Sequence, residues 1–178
     1  MSSKADVRKL IRTLPPMSVH ERAESSRRIC EMVRADPGWA TARVIAFFAP
    51  QATEPDVELL WEDLEARIAC YPRVEKGGLA FFPVTERNLL IAGRWDLREP
   101  AGDAAHALDV AEINLVLVPG VAFTRGGVRM GRGGGYYDRF LAQPNLRARK
   151  LGVCFMKQLV QTLPVESHDQ PVDRVIAA

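Results

Sequence analysis

The residues whose types and spacing could do chemistry run from Arg129 to Asp138, in the order Arg-Met-Gly-Arg-Gly-Gly-Gly-Tyr-Tyr-Asp. Six glycines fall between Gly126 and Gly135. Glycines let backbone N–H groups converge on phosphate oxygens with no side chain in the way, and a helix that starts there adds the positive end of its dipole. Arg129 and Arg132 flank the cluster, where a guanidinium can hold phosphate oxygens in a bidentate way. Asp138 follows within a turn. It suits an oxygen ligand for magnesium beside a nucleotide's phosphates, and it equally suits a favourable charge in a helix's first turn, worth about 0.3–1 kcal/mol with no metal. A glycine cluster also serves a flexible loop. Familiar phosphate loops do not fit. The Gly-Lys-Ser/Thr of a Walker A motif is absent. Gly131, Gly133 and Gly135 lie eleven or more residues past Gly120, too far for the tight first turn of a dinucleotide fold. Arg132 stands where an acetyl-CoA loop of the form Arg-x-x-Gly-x-Gly needs its first glycine.

The elements around this stretch have to present it at the mouth of a sheet. Val7, Leu10, Ile11 and Leu14 repeat at i, i+3, i+4 and i+7, which predicts a helix that Pro15 and Pro16 end. Ser18 with Glu21 forms a capping-box pattern, and Ala23, Ile29, Cys30 and Val33 carry a second helix to about Asp36-Pro37-Gly38. Arg43 to Phe48 reads as a buried strand. Thr53 as cap, Pro55, and the spacing of Val57, Leu60, Trp61 and Leu64 predict a third helix. Ile68 to Tyr71 is the next strand. Leu79 to Val84 and Leu89 to Ala92 read as a strand pair, and Arg94 to Ala107 as loop. Leu115 to Val118 is a continuous apolar strand closed by Pro119-Gly120. A long loop then reaches a helix marked by Tyr136, Tyr137, Phe140 and Leu141, and Leu151 to Phe155 and Val175 to Ala177 close the sheet. Strands alternating with helices give an α/β class: one domain over residues 1–178, a mostly parallel central sheet, helices on both faces.

Composition narrows the partners. With 24 basic and 22 acidic residues the formal net charge is +2, without the basic excess that would mark nucleic acid as a partner. Cys30, Cys70 and Cys154 sit among apolar neighbours and read as buried free thiols, in keeping with a reducing cytoplasm. No apolar run approaches the roughly 20 residues that span a bilayer. His20, His106 and His168 share no metal-ligand spacing. Trp95 reads either as a substrate-stacking ring or as a packing aromatic.

The string PGVAF followed by GVRMGRGGGYYDRFL resembles the signature of the 5-formyltetrahydrofolate cyclo-ligases, also called methenyltetrahydrofolate synthetases. Three further places support it: Lys4-x-x-x-Arg8, FFAPQATEPD around Glu54, and the closing QLVQTLPVESHDQPVDRVI. The resemblance implies that ATP phosphorylates the formyl oxygen of 5-formyltetrahydrofolate, the neighbouring anilino nitrogen attacks, and phosphate departs to leave 5,10-methenyltetrahydrofolate, with Mg2+ assisting. It implies that Lys4 and Arg8 contact ATP phosphates and that Arg129, Met130, Gly131, Arg132, Gly133, Gly134, Gly135, Tyr136 and Tyr137 wrap the nucleotide. Arg132 to Tyr136 also face the folate, with Arg132 and Tyr136 as the catalytic pair. Glu54 becomes a substrate-binding acid hydrogen-bonded to pterin nitrogens, with Ala49 beside it, and Asp138 and Asp173 become the magnesium ligands. The chain departs from the family pattern at Met130, where leucine is common, and at Asp96, where glycine tends to follow the aromatic. A monomer acting on small molecules is expected. Two rivals share the scaffold: a non-catalytic folate or nucleotide binder, and an ATP-dependent kinase or ligase on another small molecule.

Overall fold

The computed structural model describes residues 3–93 and 97–178. Arg94, Trp95 and Asp96 therefore lie outside the described residues, and with them the expectations placed on Trp95 and Asp96.

Helix α1 spans Lys4–Thr13, with a Ser3/Asp6 capping box at its start. Helix α2, Val19–Arg34, begins with the expected Ser18/Glu21 capping box and buries Ile29, Cys30 and Val33. Asp36 then caps a further short helix, α3 (Pro37–Thr41), by accepting the Gly38 N–H. The predicted third helix is instead a 3-10 helix over Val57–Asp63, and its cap is Asp56 rather than Thr53. The distinction has a physical basis: Val57 and Leu60 stand three residues apart, a spacing that 3.0 and 3.6 residues per turn satisfy equally well over so short a segment.

Six strands form the main sheet, in the spatial order β11 (Arg174–Ala177), β9 (Arg149–Cys154), β6 (Leu115–Val118), β1 (Val44–Ala46), β2 (Ile68–Glu75), β3 (Gly78–Val84). All neighbours are parallel except β2 and β3. Here the expected strand pairing is corrected. Segment 79–84 pairs back onto β2 through a tight turn at Lys76-Gly77, with Gly77 at φ 100°. Segment 90–92 (β4, Leu90–Ala92) pairs with β5, Arg98–Pro100, inside the stretch expected to be loop. The long loop after β6 is also structured. It forms a hairpin of β7 (Ala122–Thr124) and β8 (Arg129–Met130), which β10 (Leu159–Val160) joins in parallel.

Alternate residues of β6 explain the layering. Leu115 and Leu117 enter the cluster with Ile29, Val33, Phe47, Val153 and Ile176 beneath α2. Val116 and Val118 face the other way, toward Phe123, Phe140 and Leu141. Phe140 and Leu141 belong to α4, Tyr136–Leu141. Helices thus cover both faces, each fully buried aliphatic contributing about 1.5–3 kcal/mol. The parallel strands β1 and β6 end at Ala46 and Val118, and a ligand crevice is expected at such carboxyl ends.

Candidate active site

A cleft of about 570 Å³ opens at those strand ends, within the size range of small-molecule sites. Phe48, Ala49 and Glu54 follow β1, Pro119 and Gly120 follow β6, and Gly131, Arg132 and Gly134 to Asp138 also line the cleft. The glycine run and the acid at Glu54, 78 positions apart from Arg132, meet directly: Arg132 Nη2 lies 2.9 Å from Glu54 Oε1 and 3.3 Å from Thr53 Oγ1. Glu54 Oε2 accepts the Gln51 N–H at 3.0 Å.

The two arginines of the loop have opposite surroundings. Arg132 is 55% exposed, whereas Arg129 is 2% exposed. Arg129 donates from Nη2 to Asp138 Oδ1 at 2.6 Å and from Nη1 to the Pro119 carbonyl at 3.3 Å, and its guanidinium lies 5.7 Å from the centre of the Tyr137 ring. It ties the loop to the end of β6, a different placement from the free phosphate grip its flanking position suggested. Met130 turns its side chain away from the cleft, into a cluster with Val7 and Ala122. That cluster seats α1 behind the loop, where Arg8 Nε donates to the Gly131 carbonyl at 2.9 Å.

Gly135 caps α4 at φ 65° and supplies no side-chain hydrogen bond to the start of the helix. A residue with a Cβ would be strained at that angle. Arg139 stacks over the Tyr136 ring at 4.9 Å and bonds the Gly134 carbonyl at 3.2 Å, bracing the run from outside. Tyr137 has a buried hydroxyl with no partner among the described residues. Burial, and then the negative charge of Glu54, push that phenol well above its ordinary pKa, so it stays protonated and retains a donor.

Lys4 bonds Asp169 Oδ1 at 2.7 Å and Glu166 Oε2 at 3.3 Å. Burial raises the Asp169 pKa, but the Lys4 ammonium and the Glu166 N–H outweigh it and hold the carboxyl below its ordinary value. The next residue, Gln170, donates its backbone N–H to Asp138 Oδ1 at 3.4 Å. The closing segment therefore touches Asp138 through its backbone at Gln170, while the Asp169 carboxylate is held by Lys4. Asp173 lies further on, just before β11. Its Oδ2 accepts the Lys150 N–H at 2.7 Å, and it is absent from the cleft wall. The Ser-His-Asp-Gln stretch that carries Asp169 was in view in the sequence, yet nothing local distinguishes Asp169 from Asp173.

A second network escaped sequence reasoning. Arg98 clamps both oxygens of Glu58 at 2.9 and 2.8 Å, Tyr71 donates to Glu58 Oε1, and Trp61 donates to the Tyr71 hydroxyl. It fixes β5 beside the cleft. All three thiols are buried, and burial pushes Cys30 and Cys154 up to about 12, leaving them without nucleophilic character.

A profile of the 5-formyltetrahydrofolate cyclo-ligase family matches residues 1–178. The chain belongs to that family. The mouse 5-formyltetrahydrofolate cyclo-ligase is 26% identical, over 97% of this chain and 90% of its own length. The Escherichia coli K12 enzyme of the same name is 30% identical over 74% of each. The solution structure of Aquifex aeolicus 5,10-methenyltetrahydrofolate synthetase superposes with a TM-score of 0.84 at 27% identity, covering 98% of this chain and 89% of that one. This agreement supports the single-domain α/β architecture described above. Among the described residues, no helix is long and apolar enough to cross a membrane.

Proposed function

We propose that this family member uses ATP to cyclise 5-formyltetrahydrofolate to 5,10-methenyltetrahydrofolate in the cleft between Glu54 and the glycine run. The observation that carries this reading is the Arg132–Glu54 contact, which sets an exposed guanidinium and a run of bare backbone directly against a largely apolar wall. Phosphate oxygens suit the first, a pterin ring the second.

The formyl oxygen attacks the γ-phosphorus of ATP, and the bond to the bridging oxygen breaks to release ADP. The anilino nitrogen then attacks the activated carbon, loses its proton, and phosphate leaves with the former formyl oxygen. Phosphoryl transfer depends mostly on positioning and charge neutralisation. Arg132 meets the transferred group, Tyr136 and the backbone of Gly133 to Gly135 cradle it, and Tyr137 offers its unpartnered hydroxyl. Arg8 and Lys4 face the phosphate tail from α1.

The residues fit a magnesium ion bound mainly through ATP. Among the described residues both partners of Asp138 use Oδ1, and Asp138 lines the cleft; Mg2+ commonly takes one or two carboxylates with substrate phosphates. Asp169 and Asp173 both lie outside the cleft lining, and Asp138 is the protein ligand in this reading. Bound there, the ion would neutralise charge on the phosphates. Among the described residues, no group of three or more His, Cys, Asp or Glu side chains could hold a metal alone.

The chain acts as one unit across 1–178, as a cytoplasmic monomer on small molecules, with no nucleic-acid partner. Mixing protein with ATP, Mg2+ and 5-formyltetrahydrofolate at mildly acidic pH should raise the near-ultraviolet absorbance of methenyltetrahydrofolate. Growth that requires both ATP and Mg2+ supports the reading. A flat trace with ATP still bound would move it to another acceptor.

A further inference from the structure

The carboxylates that border the cleft differ in what they have left to offer a ligand. Both oxygens of Glu54 are occupied, by Arg132 and by the Gln51 N–H. Glu58 lies outside the cleft lining, and both its oxygens are held by Arg98. Asp138 commits Oδ1 to Arg129 and Gln170 and faces the phosphate side. Glu99 on β5 stands apart. Its single partner among the described residues is the Val74 N–H, at a long 3.4 Å from Oε1, and Oε2 has none.

Glu99 lines the cleft together with the apolar Pro72, Val74, Leu79 and Leu97 and its neighbour Arg98, whose guanidinium is engaged by Glu58. Val74 and Leu79 sit opposite each other in the β2–β3 ladder. The carboxylate rests on bare backbone: a Cβ built on Gly93 would stand 2.4 Å from Glu99 Oε2. β5 is held firmly, because Arg73 Nη1 donates to the carbonyls of Pro100 at 3.2 Å and Gly102 at 2.8 Å. An open acceptor on a fixed strand, inside an apolar wall, is placed to read a flat ring that carries N–H donors along one edge.

We propose that Glu99 is the carboxylate that recognises the pterin, accepting the N–H donors of its 2-aminopyrimidine edge. The inference rests on the cyclo-ligase reading and reassigns a task within it. Two adjacent N–H groups match the spacing of two carboxylate oxygens in the same way as a guanidinium fork does. Glu54 then keeps the work its contacts already show, orienting Arg132. In apolar surroundings a donor edge left without its acceptor is strongly disfavoured, so the pair sets specificity as well as affinity.

Calorimetric titration without ATP tests this, with 5-formyltetrahydrofolate and its 2-desamino analogue as probes. Glu99→Gln should weaken binding of 5-formyltetrahydrofolate by about 10–100-fold, the range for a hydrogen bond to a charged group, and should remove the wild-type preference over the desamino analogue. ATP binding should not change. Gly93→Ala provides an independent perturbation, since its methyl displaces the Glu99 carboxylate without deleting it, and it should weaken the same ligand in the same direction. Unchanged folate affinity in both variants would overturn the proposal. So would retained discrimination against the desamino analogue, or a lowered thermal midpoint with folate affinity intact, which would make Glu99 a strut between β5 and β2. Wild-type protein that binds formylfolate without turning it over sinks the cyclo-ligase reading instead, and the same titrations still decide Glu99.

Discussion

Two arginines three residues apart in one loop should fail in opposite ways when truncated. Arg129 is 2% exposed and paired at 2.6 Å with Asp138, itself 13% exposed. Arg129→Ala leaves that carboxylate uncompensated, at a cost of about 3–5 kcal/mol, which for a chain of this size lowers the thermal midpoint by about 6–20 °C. Arg132 is 55% exposed, and its contact with Glu54 is worth at most about 1 kcal/mol. Arg132→Ala should move the midpoint by no more than about 4 °C. Its turnover should nevertheless fall by about 10³, the lower end for an arginine that meets a transferred phosphoryl group, or about 4 kcal/mol of transition-state stabilisation. Circular-dichroism melts and initial rates of methenyltetrahydrofolate formation, with both substrates saturating, separate the two signatures. An Arg132→Ala protein that melts as early as Arg129→Ala, or that turns over at the wild-type rate, would refute the assignment.

Two other outcomes follow from the packing. Asp36 is buried and accepts from Arg149 at 2.6 and 2.9 Å, from Arg174 at 3.0 Å and from the Gly38 N–H. Burial raises its pKa, but these donors outweigh it and hold the carboxyl below its ordinary value. A depressed folded-state pKa means a contribution that is complete above the unfolded value of about 3.9 and lost as pH falls through the folded one. Asp36→Asn should therefore cost about 1.5–3 kcal/mol at neutral pH, and chemical unfolding at stepped pH should show the deficit shrinking below about pH 4. Gly127 sits at φ 91°, with the Val172 carbonyl 2.3 Å from where a Cβ would stand. Gly127→Ala should cost about 2–4 kcal/mol from backbone strain and overpacking, and a melt should fall by about 4–16 °C.

The parts of the fold legible in the sequence are those that local chemistry determines. Pro15 and Pro16 stop α1, the Ser18/Glu21 box starts α2, and four consecutive apolar residues at 115–118 can only be a strand covered on both sides. The antiparallel β2–β3 hairpin had a readable signal in Lys-Gly-Gly between two apolar runs. It lost to the nearer pairing of 79–84 with 89–92 because propensity carries no partner information. The glycine run, Arg132 and Glu54 were legible as types, and the structure supplies their meeting across 78 positions. What remained hidden depends on long-range partners: the inward turn of Arg129 onto Asp138, the Arg98 clamp on Glu58, and the pairing of Lys4 with Asp169. Such contacts are fixed by how strands stack, not by spacing along the chain.

The central claim, phosphorylation of the formyl oxygen by ATP in this cleft, is tested most directly by the fate of that oxygen. In a single turnover of 5-formyltetrahydrofolate labelled with 18O at the formyl group, mass spectrometry of the released phosphate should find one 18O per methenyltetrahydrofolate formed. Unlabelled phosphate alongside stoichiometric product would contradict it, because the oxygen would then have left by a route that never joined it to phosphorus.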